Sequence, residues 1–289
     1  MDDGATVRVR RHGNLAGPRL VLSHGNGFAI EAYYPFWSLL AQRWDIVLFD
    51  VRNHGMNPLH GASGHTYPQF AADLERLGMA IADAFGPKPT AGVFHSLSAI
   101  ASILHALTYG ARWDALILFD PPLVPLPGHP LHGYAWQHED RLTGWSARRR
   151  DRFADPDELA QQFARTSGMR LWQPGAHALM ARSVLRRDPT SGEWALACPR
   201  ELEASIYGAN GRLGLWPRPD EFGVPVTLIS GDPDLADALP PAKVGRVLHD
   251  ELDWPYVPVP NTSHMLQIEQ PAACAAAVEG FLATHGIAP

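Results

Sequence analysis

The sequence predicts an α/β protein: a mostly parallel central sheet flanked by helices, with a helical cap inserted over one edge of the sheet. Three observations predict it. Short apolar or β-branched runs alternate with longer segments of helical period, the order that builds a parallel sheet covered on both faces. Those runs are near-continuously apolar, as strands buried on both faces must be. Between about Leu123 and Phe222 the alternation stops, and then it resumes.

Along the chain, strands are expected at 20–23, 46–49, 91–95, 115–119, 226–230 and 256–259. Helices are expected around 33–43, 67–85, 97–109 and 271–284, the last opening on Pro271, a residue suited to a first helical turn. The interrupted stretch is rich in Arg, Pro and Trp and reads as helical and irregular. Three segments follow: a first core part at 1–122, a cap at 123–222 and a second core part at 223–289. The cap is expected over the carboxyl edge of the sheet, where open α/β sheets bind ligands.

Composition narrows the partners. Of the 289 residues 46% are apolar and 19% charged, and the net charge of -6 comes from acids and bases mixed along the chain. That argues against a nucleic-acid or anionic-membrane surface. The short basic run of Arg148, Arg149, Arg150 and Arg152 is interleaved with Asp151 and Asp155 and reads as a solvated helix face. The amino-terminal residues have no apolar core of a signal peptide. No stretch approaches the ~18 apolar residues of a membrane-spanning helix. Two cysteines, Cys198 and Cys274, make no disulfide framework, so a cytoplasmic location with both thiols reduced is expected. The sequence leaves a homodimer open.

Residue 96 lies where the strand at 91–95 meets the helix at 97–109. A sharp strand-to-helix turn there exposes a serine hydroxyl at the sheet edge. It also aims the next N–H, that of Leu97, at a developing oxyanion, and the helix adds its positive end. Ser96 is the candidate nucleophile, although a serine in this place also suits a helix N-cap. Phe94 and Ser98 stand where the GxSxG form of this turn has glycines.

The loop His24-Gly25-Asn26-Gly27-Phe28 follows the first of those strands. Its two glycines let the backbone approach a ligand closely. The N–H of Asn26 is the candidate second oxyanion donor, with a plain surface turn as the alternative reading, and Phe28 is a candidate pocket wall. His24 is expected to shape this loop.

His264 lies on the loop before the last helix. It can offer Nε2 to Ser96 and Nδ1–H to a carboxylate, as attack by a neutral hydroxyl requires. His12, His60, His65, His129, His132 and His138 are expected at the surface or in loops. The strand at 226–230 ends in Gly231-Asp232-Pro233-Asp234. Asp234 is the preferred acid, Asp232 is expected to cap the turn, and Asp120, just before Pro121-Pro122 at another strand end, is a further alternative. No histidine–acid spacing such as HExxH is present, so no metal or organic cofactor is implied.

His24-Gly25-Asn26-Gly27, Asp50-Val-Arg52-Asn-His54-Gly55, His95-Ser96-Leu97, Gly231-Asp-Pro-Asp234 and Ser263-His264-Met265 together resemble the α/β-hydrolase superfamily, in its lid-bearing branch of esterases, lipases and carbon–carbon bond hydrolases. The resemblance covers roughly 5–122 and 223–287, and the order Ser…Asp…His matches it. It implies that Asp50 and Arg52 are structural. Relatives with an aspartate nucleophile, the haloalkane dehalogenases and epoxide hydrolases, are argued down by Ser96. The activity it implies is cleavage of a carboxylic ester of a small to medium hydrophobic or aromatic substrate through an acyl-enzyme. The alternatives are a carbon–carbon bond hydrolase of ring-cleavage products, whose usual loop proline is missing at 24–28, and a non-catalytic ligand-binding homologue. The cap holds Trp136, Trp145, Trp172, Trp194 and Trp216. They are expected either to line an apolar pocket, with Trp136 the candidate substrate contact, or to glue the cap to the sheet.

Overall fold

A computed structural model describes all residues, Met1–Pro289. The first part of the chain lays down β1 (Val9–Gly13), β2 (Arg19–Ser23), β3 (Asp45–Phe49), β4 (Thr90–His95) and β5 (Ala115–Phe119). Among them run α1 (Tyr34–Leu40), α2 (Tyr67–Phe85) and α3 (Leu97–Tyr109). Next come α4 (His132–Ser146), β6 (Arg152–Phe153), α5 (Pro156–Arg165), α6 (Ala176–Val184), β7 (Leu185–Arg187), β8 (Trp194–Leu196) and α7 (Arg200–Asn210). The chain ends with β9 (Val226–Ser230), α8 (Pro240–Leu252), β10 (Tyr256–Pro258), α9 (Leu266–Glu269) and α10 (Pro271–Thr284).

Seven strands form one sheet in the order β1-β3-β2-β4-β5-β9-β10. Every pairing is parallel except β1 with β3. Strand side chains alternate between faces, and both faces are covered. On β2, Leu20 and Leu22 join one core with Phe36, Trp44 and the last helix, while Val21 joins a second with α2 and α3. This explains why the central strands read as unbroken apolar runs.

Both edges depart from that pattern. β1, Val-Arg-Arg-His-Gly, was not expected, because its residues are polar; Arg11 forks onto Asp45 of β3 at 2.7 and 2.8 Å instead of burying an apolar side chain. β10, expected as a buried strand, is the opposite edge, where Val257 is 37% exposed and Pro258 is tolerated. α8 was also unforeseen. Its opening Pro240-Pro241 resembles a loop signal but supplies the first helical turn.

The stretch between β5 and β9 contains, besides its helices, a small antiparallel sheet in the order β6-β8-β7. Strands of two or three residues are too short to carry a periodic signal. Phe153, Leu159, Phe163, Trp172 and Met180 share a hydrophobic core with Leu20 and Leu22, so this stretch is built onto the sheet. No helix is long and apolar enough to cross a membrane.

Candidate active site

Ser96 joins β4 to α3 with φ 53° and ψ -113°. Such a conformation in a non-glycine residue costs about 1–3 kcal/mol and persists only where the surroundings impose it. Here the Ser96 N–H donates to Phe119 O at 3.0 Å, and Ser98 Oγ bridges the N–H and C=O of His95, each at 3.0 Å. Ser98 is thus a clasp on the turn. Phe94 is accommodated because the glycine that makes room is Gly92, two residues earlier on the same face. A Cβ at Gly92 would stand 2.4 Å from the Phe94 ring, which packs against Phe49 and Trp113. Gly25 brings the neighbouring loop onto the turn, since a Cβ there would lie 3.1 Å from both His95 Nδ1 and Ser96 Cβ.

Ser96 Oγ lies 3.0 Å from His264 Nε2. The carboxylate against the other ring nitrogen is that of Asp120, with Nδ1–H donating to Oδ2 at 2.7 Å. Asp120 leaves β5 with φ 44°, another non-glycine residue held in the left-handed region, and is 1% exposed. Its Oδ1 accepts from Ser230 Oγ at 2.7 Å and from the Gly231 N–H at 3.1 Å. Asp234 does not hold the imidazole. It is 71% exposed and forks onto Arg246 of α8 at 2.7 and 2.8 Å. Asp232 closes the turn, accepting from the N–H groups of Asp234 and Asn261, each at 2.9 Å. Two features of the fold account for this. β5 lies directly beside β4, so an acid at its end reaches the elbow, and the unforeseen helix α8 supplies Asp234 with a surface partner.

A second line of hydrogen bonds supports this one, and only one assignment of its protons works. The carbonyl of His264 can only accept, so His95 Nε2 carries the proton and donates at 2.9 Å. His95 Nδ1 then accepts from Tyr33 Oη at 2.7 Å, and Tyr33 Oη accepts from the Gly25 N–H at 3.3 Å. Burial holds His95 well below the usual histidine range, which keeps it neutral and preserves the arrangement. The line ties the glycine loop to the backbone of His264. Nothing in the residue order pointed to Tyr33; the histidine adjoining Ser96 was the one available sign. Tyr33→Phe is expected to leave two buried polar groups without partners and to lower unfolding free energy by about 1–3 kcal/mol, as read by urea denaturation.

The N–H groups of Asn26 and Leu97 donate to no protein acceptor, while the Asn26 side chain donates to Glu203 O at 2.9 Å. His24 does shape its loop. Burial keeps it neutral, its Nε2 accepts from the Val51 N–H at 3.0 Å, and its Nδ1 donates to Gly25 O at 2.8 Å. Asp50 accepts the N–H groups of Ile30 and Met56, and Arg52 forks onto Asp73. Of the histidines expected at the surface or in loops, His65 does lie in a loop but is buried against His54 and Phe70, His12 is an exposed residue of β1, and His132 and His138 belong to α4, His138 lining the cavity described next.

Ser96 and His264 open onto a cavity of about 320 Å³. Phe28, Leu142, Trp145, Met169, Leu239 and Met265 make its apolar walls. Trp136 does not line it. That ring, 37% exposed, sits on the outer side of α4 against Gly211 and His132, one of the residues of a separate cleft between α4 and α7. Trp145, on the opposite face of the same helix, is the tryptophan of this stretch that reaches the cavity. Trp172 packs behind Phe28 at 6.4 Å.

A polar wall was not anticipated. It consists of His138, Glu139, Arg149, Glu203 and Tyr207. Arg149 Nη2 lies 3.0 Å from Glu203 Oε2. Burial raises the Glu203 carboxyl, pushes Glu139 up to about 7 and brings His138 down to about 4. These residues converge from α4, α7 and the turn after α4, a juxtaposition invisible in sequence order. No group of three or more His, Cys, Asp or Glu side chains is arranged to hold a metal ion.

A hydroxyl, an imidazole and a buried carboxylate in line, beside two free N–H groups, can ionise the hydroxyl as it attacks and hold the charge that forms on a substrate oxygen. Residues 20–277 match the alpha/beta hydrolase family. Similar solved structures include E-2-(acetamidomethylene)succinate hydrolase, 20% identical, with 96% of each chain covered and a TM-score of 0.74. The enol-lactonase from Burkholderia xenovorans LB400 is 21% identical, with 97% of this chain and 98% of that one covered and a TM-score of 0.67. A structure from work on carboxylesterases of Nitrososphaera gargenis is 17% identical, with 97% and 95% covered and a TM-score of 0.68.

Proposed function

This chain belongs to the alpha/beta hydrolase family, and on that premise we propose that it is a serine hydrolase cleaving carboxylic esters of small to medium, mainly apolar groups through an acyl-enzyme. The observation that carries the reading is the line from Ser96 through His264 to Asp120, at 3.0 and 2.7 Å, opening onto the cavity. Among the structural neighbours, a carboxylesterase and an enol-lactonase, named for cleaving esters and a cyclic ester, lend it support.

In the proposed reaction Ser96 Oγ attacks the ester carbonyl while His264 Nε2 takes its proton. Asp120 holds the ring with Nδ1 protonated and stabilises the imidazolium. The N–H groups of Leu97 and Asn26 receive the oxyanion. The tetrahedral adduct collapses as His264 protonates the departing alcohol. Water, deprotonated by the same imidazole, then attacks the acyl-enzyme and releases the acid. A small-molecule substrate and a cytoplasmic setting, in which the buried Cys198 and Cys274 stay unpaired, complete the proposal.

A cavity of about 320 Å³ lies near the lower end of the range for small-molecule pockets. Butyryl to octanoyl and benzoyl esters are therefore expected to be cleaved with kcat/KM of about 10⁴ M⁻¹s⁻¹ or more, and palmitoyl esters far more slowly. A panel of p-nitrophenyl esters, with a ring-cleavage dienoate included, checks this. Turnover of the dienoate alone, or palmitoyl esters as the fastest, would contradict the proposal.

A further inference from the structure

The acyl-transfer reading leaves Glu139 without a use. It stands on α4, 5% exposed, and lines the cavity that holds Ser96 and His264. Its Oε2 is sealed from solvent and has no hydrogen-bond partner. A buried polar group without a partner costs free energy that the fold itself does not repay. The charges around it do not explain its presence. Arg149 is drawn to Glu203 at 3.0 Å, and Glu203 also accepts from Ser146 Oγ at 3.3 Å. His138 is held neutral by burial. His264 is committed to Ser96 and Asp120. Tyr67 from α2 and Tyr207 from α7 bring no positive charge, Asp140 and Arg212 lie along the outer cleft and make no hydrogen bond to Glu139, and the Asn210 amide, which donates to Pro122 O and steadies the Glu139 carboxyl, leaves Oε2 unmet. The wall thus holds two carboxyls against one guanidinium, and Glu139 is the one left over.

We propose that Glu139 recognises a protonated primary amine carried by the substrate on one side of its ester bond. An ammonium has three donors and the missing charge, and its bond to a carboxylate is of the stronger, charge-assisted kind. With burial holding the Glu139 carboxyl near 7, an arriving ammonium draws it into the ionised form. The carbon skeleton of such a substrate lies against Phe28, Leu142, Trp145 and Met265. Glu139 and Tyr207 also line the cleft between α4 and α7, so the ammonium sits where the cavity adjoins that outer cleft.

The kinetic half of this inference rests on Ser96 being the nucleophile; the binding half does not, and the test separates them. Three rigid phenyl esters of equal length are compared: those of trans-4-(aminomethyl)-, trans-4-ethyl- and trans-4-carboxy-cyclohexanecarboxylic acid. The amine ester is expected to exceed the ethyl ester in kcat/KM by about 10- to 100-fold, the ratio that one charge-assisted hydrogen bond supplies. That ratio should fall toward one in Glu139→Leu and be reduced in Glu139→Gln, which keeps the shape should the leucine variant fold poorly. An unchanged ratio in both variants overturns the proposal. So does a preference for the carboxy ester that disappears in Arg149→Met. Calorimetry on Ser96→Ala with trans-4-(aminomethyl)cyclohexanecarboxamide against its ethyl analogue reads binding without turnover. Tighter binding of the amine, lost when Glu139→Gln is added, supports the site even if no ester is cleaved, in which case only the esterase reading fails. Equal binding of the two amides overturns the site whatever the esters show.

Discussion

Ser96→Ala is expected to lower ester turnover by about 10⁶-fold while leaving KM within a few fold. The substitution removes the atom that forms the acyl-enzyme and nothing that shapes the pocket. Phe28, Trp145 and Met265 stay in place, and the turn at residue 96 is imposed by the bond from its N–H to Phe119 O and by the Ser98 clasp. Alanine in the same conformation keeps those bonds, so the protein remains folded and binds substrate. Turnover that persists at a tenth of the original rate, with alanine at 96 confirmed by mass, would mean that the hydroxyl is a helix-terminal group only.

Asp120→Asn is expected to cost about 10⁴-fold in kcat, whereas Asp234→Asn changes it by less than twofold. The first effect follows from the donors around Asp120. The Gly231 N–H, a fixed donor, approaches one side-chain oxygen at 3.1 Å, and Ser230 Oγ lies on the same atom at 2.7 Å. An asparagine satisfies them by turning its carbonyl oxygen that way, which points its NH₂ group at His264 Nδ1. That nitrogen must then accept, its proton moves to Nε2, and the ring loses the lone pair that takes the Ser96 proton. The Asp234 side chain meets only Arg246 at the surface, a pair that solvent screens. The two variants, assayed side by side, decide between the strand ends. If Asp234→Asn is the crippling change, the Asp120 assignment is wrong.

Much of this site was legible because it lies in short segments at strand ends. Apolar runs locate the five inner strands; residues 24–28 and 96–97 just past two of them, and 264 past the edge strand β10, are the site candidates that follow. The acid is less legible. Asp120, Asp232 and Asp234 are the candidates past strand ends, and neither the pairing of β5 with β4 nor the Arg246 partner that draws Asp234 to the surface is visible in the residue order. Order along the chain admits Asp234 as readily as Asp120 between Ser96 and His264, while pairing of β5 with β4 puts Asp120 beside the elbow. Edge strands were lost for a related reason. β1 stabilises itself through Arg11 and Asp45 rather than through apolar burial, so the signal that marks inner strands is absent. Trp136 shows the limit inside a helix. α4 turns one tryptophan, Trp145, into the cavity and the other out toward Gly211, a difference of helical phase that only the packing of α4 on α7 sets. The polar wall of Glu139, Arg149 and Glu203 and the Tyr33–His95 line join residues distant in sequence, and no local pattern announces them.

The proposed function stands on Ser96 as an activated nucleophile, its hydroxyl poised by His264 and Asp120. The most direct test is exposure of the intact protein to a fluorophosphonate, followed by digestion and mass spectrometry of the adduct. A single adduct is expected on the peptide carrying Ser96, absent in Ser96→Ala and much slower to form in Asp120→Asn. An unlabelled wild-type protein, or an adduct on any other serine, would contradict it.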